Sequence, residues 1–335
     1  LAAHPDVPAE ELVGALDARD AAFTQFIIAH GLGPLWHERT GRDEFYTSRM
    51  RAEALFAAQD RAIKEVGSAL DAAGIAHVVI KGAATRYLLY ENPAIRGCFD
   101  IDILVAPADK VHAAESLVAL GFKAIPEPRN ISRELVLSRS DADIDLHWGL
   151  LREGRLRSDP THDMLDRRRR VSSVWMPSPE DTLFILLVHP AFAKHLAGWG
   201  MGLHRVVDLL GWLRTQPFAR TAVTAMLAHK GVQAAAWATL RWAQLLTCGS
   251  GFQPRTDAPL DYLLSDLQPG GLRRSWLDYW LRNDLPGRTS ARRWMRLLGF
   301  SMFLHDAPKD VVRAAAGRRR ARARTDADLA AFRNL

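Results

Sequence analysis

The chain has 335 residues, of which 48% are hydrophobic, and its formal net charge is +6. This length and apolar content allow a large core and favour two domains, and the basic balance favours phosphate-bearing partners. The only two cysteines, Cys98 and Cys248, argue against a disulfide framework and against a structural zinc site.

Helical periodicity dominates up to about residue 75. Apolar residues recur at helical spacing from Ser48 through Ala73, and Gly74 is a natural stop for this helix. From there the pattern changes to short strands and helices. We predict, in order, a strand over 76–80, a helix through Tyr90, a strand around Asp100, a helix after Pro107 that ends at Gly121, strands near 122–125, 135–137 and 143–148, and an edge strand over 171–175.

Helices are predicted again beyond Ser178, because Ser178-Pro179-Glu180-Asp181 resembles a capped helix start with Pro at the first helical position. The sequence therefore predicts an α+β fold. A small mixed β-sheet with helices occupies 76–177. An N-terminal helical segment, 1–75, and a C-terminal all-helical domain, 178–335, flank it.

Two carboxylates lie on one predicted strand, in Asp100-Ile101-Asp102. Because strand side chains alternate, both leave the same face, while Phe99, Ile101 and Ile103 are expected to point into a core. Neighbouring like charges repel one another, so a fold retains them only with compensation. Divalent cations commonly provide it, and we therefore predict a metal site here.

A second acidic strand follows at Asp143-Ile144-Asp145-Leu146-His147. Acidic residues on two apolar strands predict one metal site across adjacent strands. Asp143 and Asp145 share a face, so either could supply the third ligand. His147 shares that face too, and it could orient a carboxylate, touch the substrate or be a packed, hydrogen-bonded histidine.

A glycine turn precedes the first acidic strand. Lys81-Gly82-Ala83 lies where a predicted strand ends and a helix begins, and the amides of a helix N-terminus suit an anion. Lys81 could add a full charge. Arg96 could either contact phosphate or anchor its loop through an ion pair. A phosphate cradle followed by paired metal ligands is typical of an enzyme that acts on a nucleoside triphosphate.

This order of elements resembles the polymerase-β-type nucleotidyltransferase superfamily. Residues 80–84, 90–93, 96, 100–105 and 145–148 resemble in particular the uncharacterised bacterial nucleotidyltransferases found in natural-product and polysaccharide gene clusters. The resemblance spans roughly residues 50–215. Two features depart from the superfamily pattern: Ala83 stands where many members have Gly or Ser, and the gap from Gly82 to Asp100 is longer than usual.

The resemblance implies a nucleotidyltransferase core with two Mg²⁺ ions and a nucleoside triphosphate as co-substrate. Asp100 and Asp102 would hold both ions. Asp145 would bind the catalytic ion and help to accept the proton of the acceptor hydroxyl. Three carboxylates suffice for this chemistry when phosphates and water complete the coordination of Mg²⁺.

The resemblance also implies that the amides of Gly82 and Ala83 bind the β- and γ-phosphates, with Lys81 or Arg96 neutralising the leaving pyrophosphate. The expected reaction moves a nucleoside monophosphate to a hydroxyl or phosphate of a small-molecule or peptide acceptor. Natural-product biosynthesis is one setting that the resemblance suggests for this reaction. A toxin-like transferase that modifies RNA or protein is one alternative, and a non-catalytic nucleotide-binding partner is another.

The basic run over 318–324 could contact a nucleic acid, but such a run is more often a solvated helix face, so nucleic acid is not the favoured partner. No N-terminal stretch resembles a signal peptide, and the longest apolar run, 183–188, is too short to span a bilayer. We therefore expect a cytoplasmic protein that does not enter a membrane.

Overall fold

The computed structural model describes residues 7–17, 21–127, 131–196, 202–247, 258–283 and 291–332. Helices precede and follow a set of short strands. The helices before the first strand are α1 (Ala9–Asp17), α2 (Ala21–Ala29), α3 (Gly33–Thr40), a 3-10 helix (Asp43–Phe45) and α4 (Tyr46–Ala72). The long helix predicted from Ser48 to Ala73 is thus confirmed as α4, with its start two residues earlier.

Strands and helices alternate in the central part of the chain. Its elements are β1 (His77–Ile80), α5 (Lys81–Leu89), a 3-10 helix (Pro93–Ile95), β2 (Ile101–Val105), α6 (Lys110–Ala119), β3 (Lys123–Ile125), β4 (Glu134–Arg139), β5 (Ala142–His147), α7 (Thr161–Asp166), β6 (Arg169–Val171) and β7 (Val174–Met176). The helices that follow are α8 (Pro179–Lys194), α9 (His204–Thr215), α10 (Arg220–Lys230), α11 (Gln233–Thr247), α12 (Ala258–Asp266), α13 (Gly271–Asn283), α14 (Ala291–Phe303) and α15 (Pro308–Phe332).

The predicted α+β fold is confirmed: a small mixed sheet is flanked by helical N- and C-terminal parts. Five strands form this sheet in the order β1-β2-β5-β4-β3. The β2–β5 pair is parallel, and the other neighbouring pairs are antiparallel. The parallel pair is central, which brings the two acidic segments of the sequence side by side.

The single edge strand predicted over 171–175 is wrong. Ser172 and Ser173 both have positive φ, 47° and 71°, as the two central residues of a type I′ turn do. The segment therefore folds back on itself, and β6 pairs antiparallel with β7 in a separate two-stranded sheet.

The two faces of the five-stranded sheet differ in polarity. One face carries Ile101 and Ile103, which are buried in a core with Ile63 and Val66 of α4 and Leu117 of α6. Strand alternation directs the neighbouring residues to the opposite face. The core face therefore anchors the sheet, and the opposite face carries the acidic side chains among buried apolar ones.

The Cα positions divide into two compact units. One comprises Leu1–Met50 and Leu183–Pro308, and the other comprises Arg51–Thr182 and Lys309–Leu335. The second unit contains the five-stranded sheet and nearly all of α15. The division at residues 75 and 177 that the sequence favours stays a prediction.

Each unit has its own apolar packing. In the first unit, Leu12, Ile27, Trp36 and Phe45 belong to one buried cluster. Cys98, in the second unit, is buried and its thiol is free, whereas Cys248 lies outside the described residues.

Among the helices of the described segments, none combines the length and apolar character needed to cross a bilayer.

Candidate active site

The parallel register of β2 and β5 places Asp102 directly opposite Asp145. Residues two apart on a strand share a face, so His147 lies on the same face as Asp145. One possible ligand atom from each of these three side chains lies within 4.8 Å of the other two. The structure therefore brings together a donor set of two carboxylates and one imidazole.

Asp102 is buried, with 3% of its surface exposed. Its Oδ1 accepts a hydrogen bond from Lys81 Nζ at 2.6 Å and lies 2.8 Å from His147 Nε2. Burial alone would raise the pKa of this carboxyl, but the Lys81 ammonium and the His147 contact outweigh burial and lower the pKa of Asp102. Asp102 is therefore held as a carboxylate.

Lys81 reaches two members of the cluster at once, since its Nζ also lies 3.0 Å from His147 Nε2. Burial lowers the pKa of Lys81, but the charges of Asp102, Glu134 and Asp145 more than offset that effect and raise it. The ammonium thus neutralises the acidic face. A divalent cation that bound the same oxygen and nitrogen would compete with it.

Asp145 has a different electrostatic environment. Partial burial, together with the negative charges of Asp102, Asp100 and Glu134, raises the pKa of Asp145 to about 6. The two carboxyls that face each other are therefore unequal. One is firmly ionised, and the other exchanges a proton close to neutral pH.

Glu134 belongs to this site although sequence reasoning missed it. The β4–β5 register pairs Glu134 with His147, and its Oε2 lies 3.3 Å from His147 Nδ1. The imidazole donates to Asp102 when Nε2 carries the proton, and it can bind a cation through Nε2 when the proton lies on Nδ1, facing Glu134. No sequence signal identified Glu134, because the pairing of β4 with β5 has to be known first.

The predicted phosphate corner lies at the start of α5. Lys81 has a φ of 55°, a left-handed conformation that is uncommon for a residue with a side chain. A Cβ on Gly82 would lie 3.0 Å from both terminal nitrogens of Arg96. The Arg96 guanidinium therefore packs directly against Gly82 at the helix N-terminus. The Ala83 side chain is buried in the core, and its amide belongs to the first helical turn.

Asp100 is exposed and precedes β2, which begins at Ile101. It is therefore not part of the cluster formed by Asp102, Asp145 and His147, although its charge acts on Asp145. The expectation that Phe99 points into the core is wrong, since 88% of its surface is exposed. Strand alternation does not extend back to residue 99, because this segment is a bend rather than a strand.

Hydrogen bonds from a buried side chain of α4 hold the bend before β2 in place. Gln59, which is fully buried on α4, donates through Nε2 to the carbonyl oxygens of Cys98 and Phe99, both at 3.1 Å. Arg86 Nη1 in turn donates to Gln59 Oε1 at 2.7 Å. Burial raises the pKa of the Cys98 thiol to about 11, consistent with an inert packed side chain.

Asp143, the alternative third carboxylate, is exposed at the other end of β5. It accepts a hydrogen bond from Ser138 Oγ at 2.6 Å. The cluster contains Asp145 and not Asp143.

Oxygen donors with one imidazole suit a divalent cation. Acidic residues on adjacent strands, with a glycine-led helix N-terminus beside them, have the organisation of a nucleotidyltransferase core. Residues 19–247 match the model of the family described as "Uncharacterised nucleotidyltransferase". The chain belongs to this family, and the resemblance stated from the sequence is confirmed. A comparison with curated proteins found no match.

Proposed function

We propose that this protein is a Mg²⁺-dependent nucleotidyltransferase that moves a nucleoside monophosphate from a nucleoside triphosphate to an acceptor. The acceptor oxygen belongs to a hydroxyl or phosphate of a small molecule or peptide. Family membership supports the reaction class. The observation that carries the proposal is the register that sets Asp102 against Asp145, with His147 beside them.

Asp102 and Asp145 would hold the divalent ion, with His147 Nε2 within reach of it. When bound, such an ion neutralises phosphate charge and lowers the pKa of an oxygen nucleophile. Asp100 is exposed next to these residues and could contribute to a second ion. Lys81 has a complementary role in this proposal: its ammonium leaves Asp102 when the ion binds and becomes available to the phosphates.

The triphosphate would bind at the start of α5. The helix N-terminus presents amides of Gly82 and Ala83, and the helix dipole favours negative charge there. The Arg96 guanidinium, packed on Gly82, adds a permanent positive charge at the same corner. These groups would bind the β- and γ-phosphates and stabilise the leaving pyrophosphate.

Asp145 would accept the acceptor proton. Without a bound ion, burial and the neighbouring carboxylates raise the pKa of Asp145 to about 6, which makes it a stronger proton acceptor than Asp102. In the step, the acceptor oxygen bonds to the α-phosphorus, the bond from this phosphorus to pyrophosphate breaks, and the acceptor proton moves to Asp145.

The experiment uses triphosphates labelled at the α-phosphate, Mg²⁺ and a fractionated extract of small molecules and peptides. We expect one of the four triphosphates to transfer label to an acceptor fraction with release of pyrophosphate. Asp102→Asn should abolish transfer, and Asp143→Asn, the same change on the same face but outside the cluster, should retain it. Equal transfer by wild type and Asp102→Asn would refute the assignment.

A further inference from the structure

A tight turn follows the five-stranded sheet in the chain. The Arg155 amide donates to the Arg152 carbonyl at 3.2 Å, which closes a β-turn over residues 152–155. Gly154, at the third position, has a φ of 83°, as a type II turn requires. A β-turn brings its ends within about 7 Å of one another. Arg152 and Arg155 are therefore neighbours in space.

Helix α15 packs against this turn at two glycines. A Cβ on Gly154 would lie 2.5 Å from the Arg313 carbonyl oxygen, and a Cβ on Gly317 would overlap the carbonyl of Glu153. Only glycines permit the two backbones to approach this closely. Gly317 is next to Arg318 in the chain, so the close approach brings Arg318 to the turn.

Ion pairs fix the helix in this position. Glu153 pairs with Arg320 at 2.8 Å and with Arg324 at 3.1 Å. At the start of α15, buried Asp310 accepts hydrogen bonds from Arg157 and Arg313. Two arginines of the basic run are thus engaged in docking, and the run is not a uniform stripe of unattached charge.

At this turn, Arg152, Arg155 and Arg318 are near enough for their charges to act on one another. Burial, together with the charges of Arg152 and Arg318, lowers the pKa of Arg155 to about 10. Burial and the charge of Arg318 also lower the pKa of Arg152. Guanidinium groups grouped in this way are well suited to bind the oxygens of a phosphate group. The arrangement is the positive counterpart of the carboxylate cluster on the sheet.

The cluster of Arg152, Arg155 and Arg318 lies on the β4 side of the acidic site. The charge of Glu134, on β4, acts on Arg152, and Glu134 also contacts His147. The glycine corner, by contrast, follows β1. In the sheet order, β1 and β4 lie on opposite sides of the β2–β5 pair. The corner proposed for the triphosphate and the arginine cluster therefore flank the carboxylates from opposite sides.

We propose that Arg152, Arg155 and Arg318 bind a phosphate group of the acceptor. That the phosphate belongs to the acceptor rests on the proposed function, whereas the phosphate-binding site itself does not. Two of the five arginines in the run 318–324, Arg320 and Arg324, are paired with Glu153, which favours a single phosphate group over a nucleic-acid strand that would use the whole run. Arg152 and Arg155 lie within the residues that match the family model, and Arg318 lies beyond them.

The test measures binding of inorganic phosphate to the full chain in EDTA, by calorimetry and by thermal unfolding. Arg319→Gln is the matched control, because it removes the same charge from the next position of the same exposed helix segment. We expect wild type and Arg319→Gln to bind phosphate alike and Arg318→Gln to bind about tenfold more weakly. Without phosphate, Arg318→Gln should melt higher than Arg319→Gln, because repulsion is relieved.

Equal weakening of phosphate binding in both variants would overturn the proposal. A single-stranded RNA that binds more tightly than phosphate, and loses affinity equally in both variants, would also overturn it in favour of an extended nucleic-acid surface. Binding of Mg²⁺ with a nucleoside triphosphate is measured on the same proteins. Triphosphate binding without the Arg318 effect refutes this inference alone, and the Arg318 effect without triphosphate binding refutes the proposed function alone.

Discussion

Asp102 and Asp145 face each other across the parallel β2–β5 pair, with ligand atoms within 4.8 Å. Opposed like charges destabilise a sheet. Lys81 and His147 compensate the buried member, while Asp145 retains a raised pKa of about 6. Unequal carboxyls in one site are characteristic of functional centres.

Lys81→Met should destabilise the protein by about 3 kcal/mol in EDTA, because it leaves the buried Asp102 carboxylate without its counter-ion. Mg²⁺ or Mn²⁺ should then stabilise the variant more than it stabilises wild type, since the ammonium no longer competes for Asp102. Denaturant unfolding with and without the ion measures both effects.

The control for this prediction is Lys64→Met. Lys64 pairs with Asp60 at 2.7 Å, but its side chain is 52% exposed. An exposed pair of this kind contributes less than about 1 kcal/mol. Equal losses of stability in the two variants, or equal stabilisation of Lys81→Met and wild type by the ion, would contradict the competition between lysine and metal.

Asp145 should make stability fall as pH rises through the acid range in EDTA. The unfolded chain loses this proton near pH 3.8 and the folded protein near pH 6, so the folded state is favoured below this interval and loses that advantage across it. Asp145→Asn removes the effect. At pH 7 we expect this variant to be more stable than wild type by about 1–2 kcal/mol, after discounting for partial exposure.

Unfolding of both proteins at several pH values measures the difference, with Asp143→Asn as the exposed control. If the difference in the free energy of unfolding between wild type and Asp145→Asn is the same at pH 4 and at pH 6, the pKa of Asp145 is not raised. Affinity of the wild type for a divalent ion should also fall below about pH 6, because the proton then competes for the ligand oxygen.

Asp310 should stabilise the docking of α15. Burial would raise its pKa, but hydrogen bonds from Arg157 and Arg313 outweigh burial and lower the pKa to about 2. The contribution of the Asp310 carboxylate to the free energy of unfolding is therefore present above about pH 4 and is lost as pH falls toward 2. Asp310→Asn should lower the free energy of unfolding by about 2 kcal/mol at pH 7.

Asp266→Asn is a suitable control, because Asp266 also pairs with an arginine, Arg220, but on an exposed surface. Asp266→Asn should lower the free energy of unfolding by less than about 1 kcal/mol. Since Asp310 holds the helix that carries Arg318, Asp310→Asn should also weaken phosphate binding in EDTA. Unchanged stability in Asp310→Asn would show that these arginines do not fix α15.

Residue type and spacing were enough to predict the acidic strands and their core face. Ile101 and Ile103 are buried as alternation requires, and Asp102 lies on the opposite face. Alternation failed at Phe99, since it holds only inside a strand and β2 begins at Ile101.

Contacts between distant segments could not be predicted. Glu134 meets His147 only through the β4–β5 register, and Arg318 meets Arg152 only because α15 packs back onto a turn far earlier in the chain. Likewise, Lys81 was expected near phosphate, and its pairing with Asp102 depends on the β1–β2 register, which sets Ile80 against Asp102.

The most direct measurement is calorimetric titration of the four nucleoside triphosphates, each with Mg²⁺, into wild type, Asp102→Asn and Asp143→Asn. We predict that at least one triphosphate binds wild type and Asp143→Asn with equal affinity, and binds Asp102→Asn at least about tenfold more weakly. EDTA should weaken binding to wild type in the same way. If no triphosphate binds wild type, or if Asp102→Asn binds as wild type does, the facing carboxylates are not a nucleotide–metal site.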